Sequence, residues 1–354
     1  MAAYGGVQNY MWRLWEMLAD QFKDIDEPPR GFCLKGKTAE LVRWPNPTTI
    51  RPVGANGSRL KFIQMTLSAP RANECVVVGH INLAPLALLA KLVGRIKSYV
   101  VVLHGIEAWK RASFLKRQSL KYAHAVIGTT RYTALTCAQV NNLAGDNFRV
   151  ISLCAEQTPA APDPDFKLAG QWPLLFVGRL ATSEKYKGLE TTMEAVAVIQ
   201  RESSPVVLYV AGDGDDRTRL EALAESLTTK GKIIFLGLLS DAQLQSAYNS
   251  AKVFVMPSAK EGFGIVFLEA MRRGVPCIGG AHGGTPEVFE DNREGLLVPY
   301  GDSEALADQL RLLVNDKQMA DRLSAASRRR FEKDYTFDRF SERWRHALVA
   351  DSYV

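Results

Sequence analysis

Residues 253–271 read VFVMPSAKEGFGIVFLEAM, and the change of period inside this stretch decides the fold. VFVM is a continuous apolar run, as expected of a strand covered on both faces in a parallel sheet. PSAKEGFG breaks the pattern with a proline and two glycines, and IVFLEAM then takes up a helical period. Strand, glycine turn and helix in that order make one βα unit. Gly262 and Gly264 let backbone approach a ligand, and the free N–H groups of the helix start point outward, an end that attracts phosphate or sugar oxygens. Glu261 sits in the turn, whereas Glu269 lies about two turns into the helix. The helix dipole accounts for an acidic residue at the start but not for one as deep as Glu269.

The same unit repeats in both directions. Beyond a proline-rich linker the expected strands are Leu174–Val177, Val206–Val210, Ile233–Leu236, Val253–Met256 and Pro276–Ile278. Helices are expected at Leu189–Gln200, Thr218–Leu227, Asp241–Asn249 and Gly264–Arg272. Before it, strands are expected at Lys61–Leu67, Cys75–His80, Tyr99–His104, Ala125–Thr129 and Phe148–Leu153. Between the two series lies TPAAPDPDF, residues 158–166, in which Pro159, Pro162 and Pro164 forbid helix and interrupt any sheet ladder. The reading is two α/β Rossmann-like domains, 1–160 and 161–335, with a C-terminal helix at 336–354 packing back on the first. Doubly wound sheets in tandem bind ligands at the carboxyl ends of their strands, so the two sets of loops are expected to face one another across a cleft.

Bulk properties bound the function. A chain of 354 residues with 47% hydrophobic and 23% charged residues is an ordinary globular protein, long enough for two cores. Its five cysteines (Cys33, Cys75, Cys137, Cys154 and Cys277) are scattered and form no C-x-x-C pair, which argues against a disulfide framework or zinc site and suits a cytoplasmic protein. The longest apolar stretch, LAPLALLA at 83–90, is too short to span a bilayer, and no signal peptide is expected. Residues 1–165 carry 20 Lys and Arg against 12 Asp and Glu, so the first half holds the basicity. KLVGRIK (91–97) and WKRASFLKRQSLKY (109–122) interleave cations with apolar residues. That pattern reads either as a solvated helix face or as peripheral contact with an anionic membrane at its inner face. No nucleic-acid module accompanies it, so nucleic acid is not expected as a partner.

The segment EGFGIVFLEAM resembles the paired-glutamate motif of the retaining glycosyltransferases of family four, which have the two-domain GT-B fold. The resemblance continues through FVGRLATSEKYKGLETTMEA (176–195), VLYVAGDGDDRTRLEALA (207–224), IIFLGLLSDAQL (233–244), GGTPEVF (283–289) and GLLVPYGDSEALADQL (295–310). It implies that Arg179 and Lys187 neutralise the departing diphosphate, with Lys185 as a competitor of Lys187. Glu261 would contact donor-sugar hydroxyls, Glu269 the ribose hydroxyls, and the backbone of Phe263, Gly264 and Ile265 the sugar and diphosphate. Gly212, Gly237 and Leu238 would line the nucleotide pocket. In the first domain, Gly5 and Gly6 would form a loop against the diphosphate, and His104, with His80 as a weaker candidate, would stand near the reacting carbons. The family places a strand before the glycine loop, yet only four residues precede Gly5 here, so the first domain is expected to lack its first strand.

These readings converge on transfer of a hexose-type sugar from a nucleotide diphosphate donor to a glycan, lipid-linked or small-molecule acceptor, with retention. No cofactor beyond the donor co-substrate and no metal are expected, since the acidic run GDGDD (212–216) sits where helix capping accounts for it. A catalytically inactive sugar-nucleotide-binding or scaffold protein, and a nucleotide-sugar epimerase on the same fold, stand as alternatives.

Overall fold

The structure is a computed structural model that describes residues 6–21, 29–34, 53–68, 74–155, 160–202, 204–227 and 232–349. The chain forms two compact units, Met1–Ser152 with Phe340–Val354, and Leu153–Arg339.

In the first unit, α1 (Gly6–Gln21) is followed by β1 (Phe32–Cys33) and β2 (Val53–Gly54), which pair in parallel as a small separate sheet. Next come α2 (Arg59–Ser68), β3 (Cys75–Val78), α3 (Ala84–Leu92), β4 (Ser98–Leu103), α4 (Phe114–Lys121), β5 (Ala125–Gly128), α5 (Arg131–Val140) and β6 (Phe148–Val150). β3 to β6 form a parallel sheet in chain order, each strand joined to the next through a helix. β4 is buried along its whole length, and Val101, Leu103, Val78 and Val126 pack under Leu88 of α3 and Leu120 of α4. Tyr10 of α1 ties the unit to its C-terminal segment: its hydroxyl donates to the Ile151 carbonyl (3.3 Å) and accepts from Trp344 Nε1 (3.2 Å). Its ring meets Phe340 edge-on at 5.3 Å.

Residues 61–67, expected as a strand, are helical. Ser58 caps α2 by accepting from Lys61 N (3.3 Å), and only Phe62 of this helix is fully buried, so a one-sided helix explains the apolar residues better than a strand. The stop signal of Asn56 and Gly57, both at positive φ, stands just before that cap. Gly5 and the expectation of a missing first strand fall on residues 1–5, outside the described residues.

The second unit continues with β7 (Trp172–Val177), α6 (Leu189–Gln200), β8 (Val206–Ala211), α7 (Arg217–Leu227), β9 (Ile233–Gly237), α8 (Asp241–Ser250), β10 (Val253–Met256) and α9 (Ile265–Arg272). It closes with β11 (Cys277–Gly280), the short α10 (Thr285–Val288), β12 (Gly295–Val298), α11 (Ser303–Asn315) and α12 (Lys317–Asp334); α13 (Phe337–Val349) then leads back to the first unit. The six strands run parallel in the order β12-β11-β10-β7-β8-β9. The chain therefore builds outward from β7 to β9, returns to β10 on the other side of β7, and builds outward again. β7 and β10 flank the switch point, where connecting turns diverge and leave a crevice at the strands' carboxyl ends.

The second unit starts at Leu153 rather than at residue 161. Prolines exclude regular structure there without preventing attachment: Ser246 Oγ donates to the Asp163 carbonyl (2.7 Å), and Leu168 N donates to Ser250 Oγ (3.1 Å), which straps the segment to α8. α8 itself begins with a capping box, Ser240 and Gln243 exchanging side-chain and backbone bonds.

Candidate functional site

The turns after β7, β8 and β9 lie backbone against backbone. Gly178 N donates to the Ala211 carbonyl (3.0 Å), Leu180 N to Asp213 (3.0 Å) and Gly212 N to Gly237 (2.8 Å). Gly212 holds φ +141°, and a Cβ there would overlap the Gly178 carbonyl oxygen, so both backbone conformation and space require glycine. Leu238, next to Gly237, is 66% exposed at the rim of this layer.

On the β7 side, Arg179 follows Gly178 and Lys187 ends the 3-10 helix Thr182–Lys187. Glu184 bridges the two cations: one carboxylate oxygen pairs with Arg179, and the other lies 2.7 Å from Lys187 Nζ. Its side chain is only 10% exposed, and its backbone (φ −115°, ψ 20°) leaves the helical region within the 3-10 segment. Glu184 was not among the residues expected from sequence. Its signal was the i,i+3 spacing to Lys187, which among the charges of SEKYK did not stand out. Among the described residues, Lys187 rather than Lys185 is the lysine that shares Glu184 with Arg179.

The β10 side meets this cluster. Ala259 N donates to the Tyr186 carbonyl (2.8 Å), and the Glu261 carbonyl accepts from Gly284 N (2.7 Å), so the PSAKEGFG turn is held to the turns after β7 and β11. Gly264 caps α9 at φ +91°, where a Cβ would come within 2.6 Å of the Phe267 ring. Phe263 turns its side chain inward onto Tyr335, with ring centroids 5.7 Å apart. Glu261 is half-buried, and removal from water pushes its carboxyl up to about 7. Lys187 and the Gly262 N–H oppose that rise, and the Glu184 charge adds to it. Tyr186 is pushed up to about 12 by burial and by the charges of Glu184 and Glu261. Glu269, deeper in α9, accepts from the hydroxyl of Tyr248 (2.7 Å), whose own ionisation is suppressed by burial.

Arg179, Lys187, Glu184 and Glu261 thus form one electrostatic cluster at the switch point. Ile265 opens the helix beside Gly264, and Gly212, Gly237 and Leu238 lie at the ends of β8 and β9. His104 and Gly6 belong to the first unit. His104 Nε2 lies 2.8 Å from the Gly79 carbonyl, and its backbone N–H donates to Glu107 (2.6 Å). Burial holds its imidazole below the usual pKa, so it is neutral near pH 7 and donates through Nε2. His80 Nδ1 instead accepts from Asn82 N (3.1 Å) and caps a 3-10 turn. Among the described residues no group of three or more His, Cys, Asp or Glu is arranged to hold a metal ion, and no helix is long and apolar enough to cross a membrane.

Residues 163–330 match the family model described as glycosyl transferases group 1. The chain is 31% identical over 170 residues to an uncharacterized glycosyltransferase of Methanocaldococcus jannaschii, covering 48% of this chain and 42% of the relative. It is 30% identical over 231 residues to the serotype-specific mannosyltransferase WbdA of Escherichia coli, covering 63% and 28%. A third relative, the GDP-mannose-dependent alpha-(1-6)-phosphatidylinositol monomannoside mannosyltransferase of Mycobacterium tuberculosis, is 31% identical over 172 residues, covering 47% and 45%. Each alignment spans less than half of the relative's length. Among solved structures, Anabaena HepE in complex with UDP superposes with a TM-score of 0.79 at 17% identity, over 98% of this chain and 96% of that one. Sucrose-phosphate synthase from Thermosynechococcus elongatus gives 0.80 at 22% identity, over 98% and 94%. These structural likenesses carry the fold, two Rossmann-like α/β units of the GT-B class. The family model thus matches most of the second unit, residues 163–330, as glycosyl transferases group 1.

Proposed function

We propose that this chain is a retaining glycosyltransferase that moves a hexose-type sugar from a nucleotide diphosphate donor to a hydroxyl of a glycan, lipid-linked or small-molecule acceptor. The observation that carries the reading is the pairing of Arg179 and Lys187 through Glu184, beside Glu261, at the switch point of the six-stranded sheet. Two cations held on one turn can neutralise the charge that builds on the diphosphate as its bond to the anomeric carbon breaks. The acceptor oxygen bonds to that carbon from the same face, the phosphate oxygen leaves with the bonding pair, and the acceptor's proton passes to the leaving phosphate. Glu261 takes the donor-sugar hydroxyls, Glu269 the ribose hydroxyls, and the backbone at Phe263, Gly264 and Ile265 the sugar and diphosphate. Gly212, Gly237 and Leu238 line the base side. By the sequence resemblance, His104, Gly5 and Gly6 are the first unit's candidates for donor contact. The scheme calls for no cofactor or metal.

HepE was solved with UDP, and the mycobacterial relative is named for GDP-mannose. Both nucleotides are therefore the first donors to test here. The basic first unit favours a peripheral position at the cytoplasmic face of a membrane, with a lipid-linked acceptor within reach. Donor hydrolysis and transfer are measured with UDP- and GDP-sugars on the wild type and on Arg179→Ala and Lys187→Ala. Each variant is expected to lose about a hundredfold or more in turnover, the scale of losing one preorganised donor to a developing charge. Wild-type turnover in either variant refutes the assignment.

A further inference from the structure

α3 and α4 lie side by side on one face of the first unit's sheet. Lys116 Nζ donates to Asn82 Oδ1 (2.6 Å) where the helices begin, and Lys91 Nζ donates to the Tyr122 carbonyl (3.1 Å) where they end. Their inner sides, with Ala84, Ala87, Leu88 and Leu120, bury against the strands. The outer side is not polar. Leu89, Leu92 and Val93 form an i, i+3, i+4 stripe along α3, and Phe114 and Leu115 open α4; all five are exposed, Leu92 by 74% and Phe114 by 64%. Between residues 84 and 123 stand eight Lys and Arg and one acidic residue, Glu107. Arg95, Lys97, Lys110, Arg111 and Lys121 are exposed around the apolar stripe.

We propose that the outer face of α3 and α4 is a docking surface for an anionic lipid bilayer, into which Leu89, Leu92, Val93, Phe114 and Leu115 insert while the surrounding cations meet lipid phosphates. This deepens the proposed function, on whose peripheral position it rests, by naming the surface. Charge complementarity selects the occupant. A protein partner would be poorly served by a lysine-rich face, since lysine is depleted at protein interfaces. A nucleic acid would engage the cations but leave the central leucines and phenylalanine with nothing apolar to touch. At a bilayer both halves of the surface are satisfied: apolar side chains enter the acyl boundary, and long cationic side chains reach back to the headgroups.

The test uses the full chain and vesicles of phosphatidylcholine, alone or with about one-third phosphatidylglycerol, read by co-sedimentation. Binding to the anionic vesicles is expected, weakening several-fold between about 0.1 and 0.5 M salt as screening grows. Arg95→Gln with Lys121→Gln should lose about twenty-five-fold in affinity, about fivefold per cation. Leu92→Gln with Phe114→Gln should lose at least about tenfold, from the apolar surface no longer removed from water. Both pairs replace exposed residues, and unchanged melting temperatures verify that they fold. Equal binding to neutral and anionic vesicles, wild-type binding by both variants, or binding of a single-stranded oligonucleotide in place of vesicles overturns the proposal. Thermal shifts by UDP and GDP are measured on the same samples. Loss of vesicle binding with nucleotide binding intact refutes the docking surface alone, whereas absent nucleotide binding with vesicle binding intact refutes the transferase reading alone.

Discussion

Replacing Glu261 by glutamine should remove a pH dependence from the stability of the second unit. In the folded protein this carboxyl is pushed up to about 7, chiefly by burial, against an ordinary value of 4.5. A folded-state pKa above the unfolded one means that the native state holds more protons between those two values, so stability falls as pH rises through the window from 4.5 to 7. The difference corresponds to about 3 kcal/mol at 1.36 kcal/mol per unit. The stability of Glu261→Gln relative to wild type should therefore climb by about 3 kcal/mol between about pH 4 and pH 8, nearly all of it by pH 7. Trp172 is the one tryptophan of residues 153–339 and lies at the start of β7, so urea unfolding followed through fluorotryptophan at that position reports this unit. A difference between variant and wild type that stays flat across the range refutes the reasoning, because it would mean that Glu261 is solvated or fully compensated by Lys187. The same variant should lose transfer activity while still binding a nucleoside diphosphate, which separates the sugar contact from the diphosphate contact.

Glu184→Gln frees Arg179 and Lys187 from their shared carboxylate. Calorimetry at low salt should show nucleoside diphosphate binding tightened by about threefold to tenfold, since the ligand no longer competes with a buried anion, while turnover falls because the cations lose their fixed geometry; an unchanged Kd refutes the competition. Gly280→Ala drives a Cβ into the Ser258 carbonyl oxygen, and melting should fall by the equivalent of about 3 kcal/mol or the protein should fail to fold. Trp344→Ala removes a fully buried ring and the bond to Tyr10, and chemical denaturation of the first unit should show a loss of about 3–5 kcal/mol.

Much of the second unit was legible in the sequence because its strands are buried on both faces and its turns carry glycines that the backbone demands. Leu189–Gln200 is helical over the expected residues, and VFVM at 253–256 is the expected buried strand. β12 was absent from the expected strands, since GLLV is short and stands between Glu294 and Pro299. In the first unit KFIQMTL was misread because its apolar residues fit a strand nearly as well as a one-sided helix, and the Ser58 cap that settles the matter lies outside the run. Arg179, Lys187, Glu261 and Glu269 could be named from sequence as candidates, but their relations could not. Chain order says nothing about which side of β7 receives β10, and that choice alone brings the SEKYK turn against the KEGFG turn.

The sequence by itself determined which residue types stand at the ends of which strands, because hydrophobic period and glycine placement are local properties of the chain. Only the tertiary structure decided that Glu184 holds two cations at once, because the turn that carries all three is pinned by the backbone of Asp213 and Ala259, and that Glu261 is withdrawn from water beside Lys187 and Glu184, more than 70 residues away in the chain.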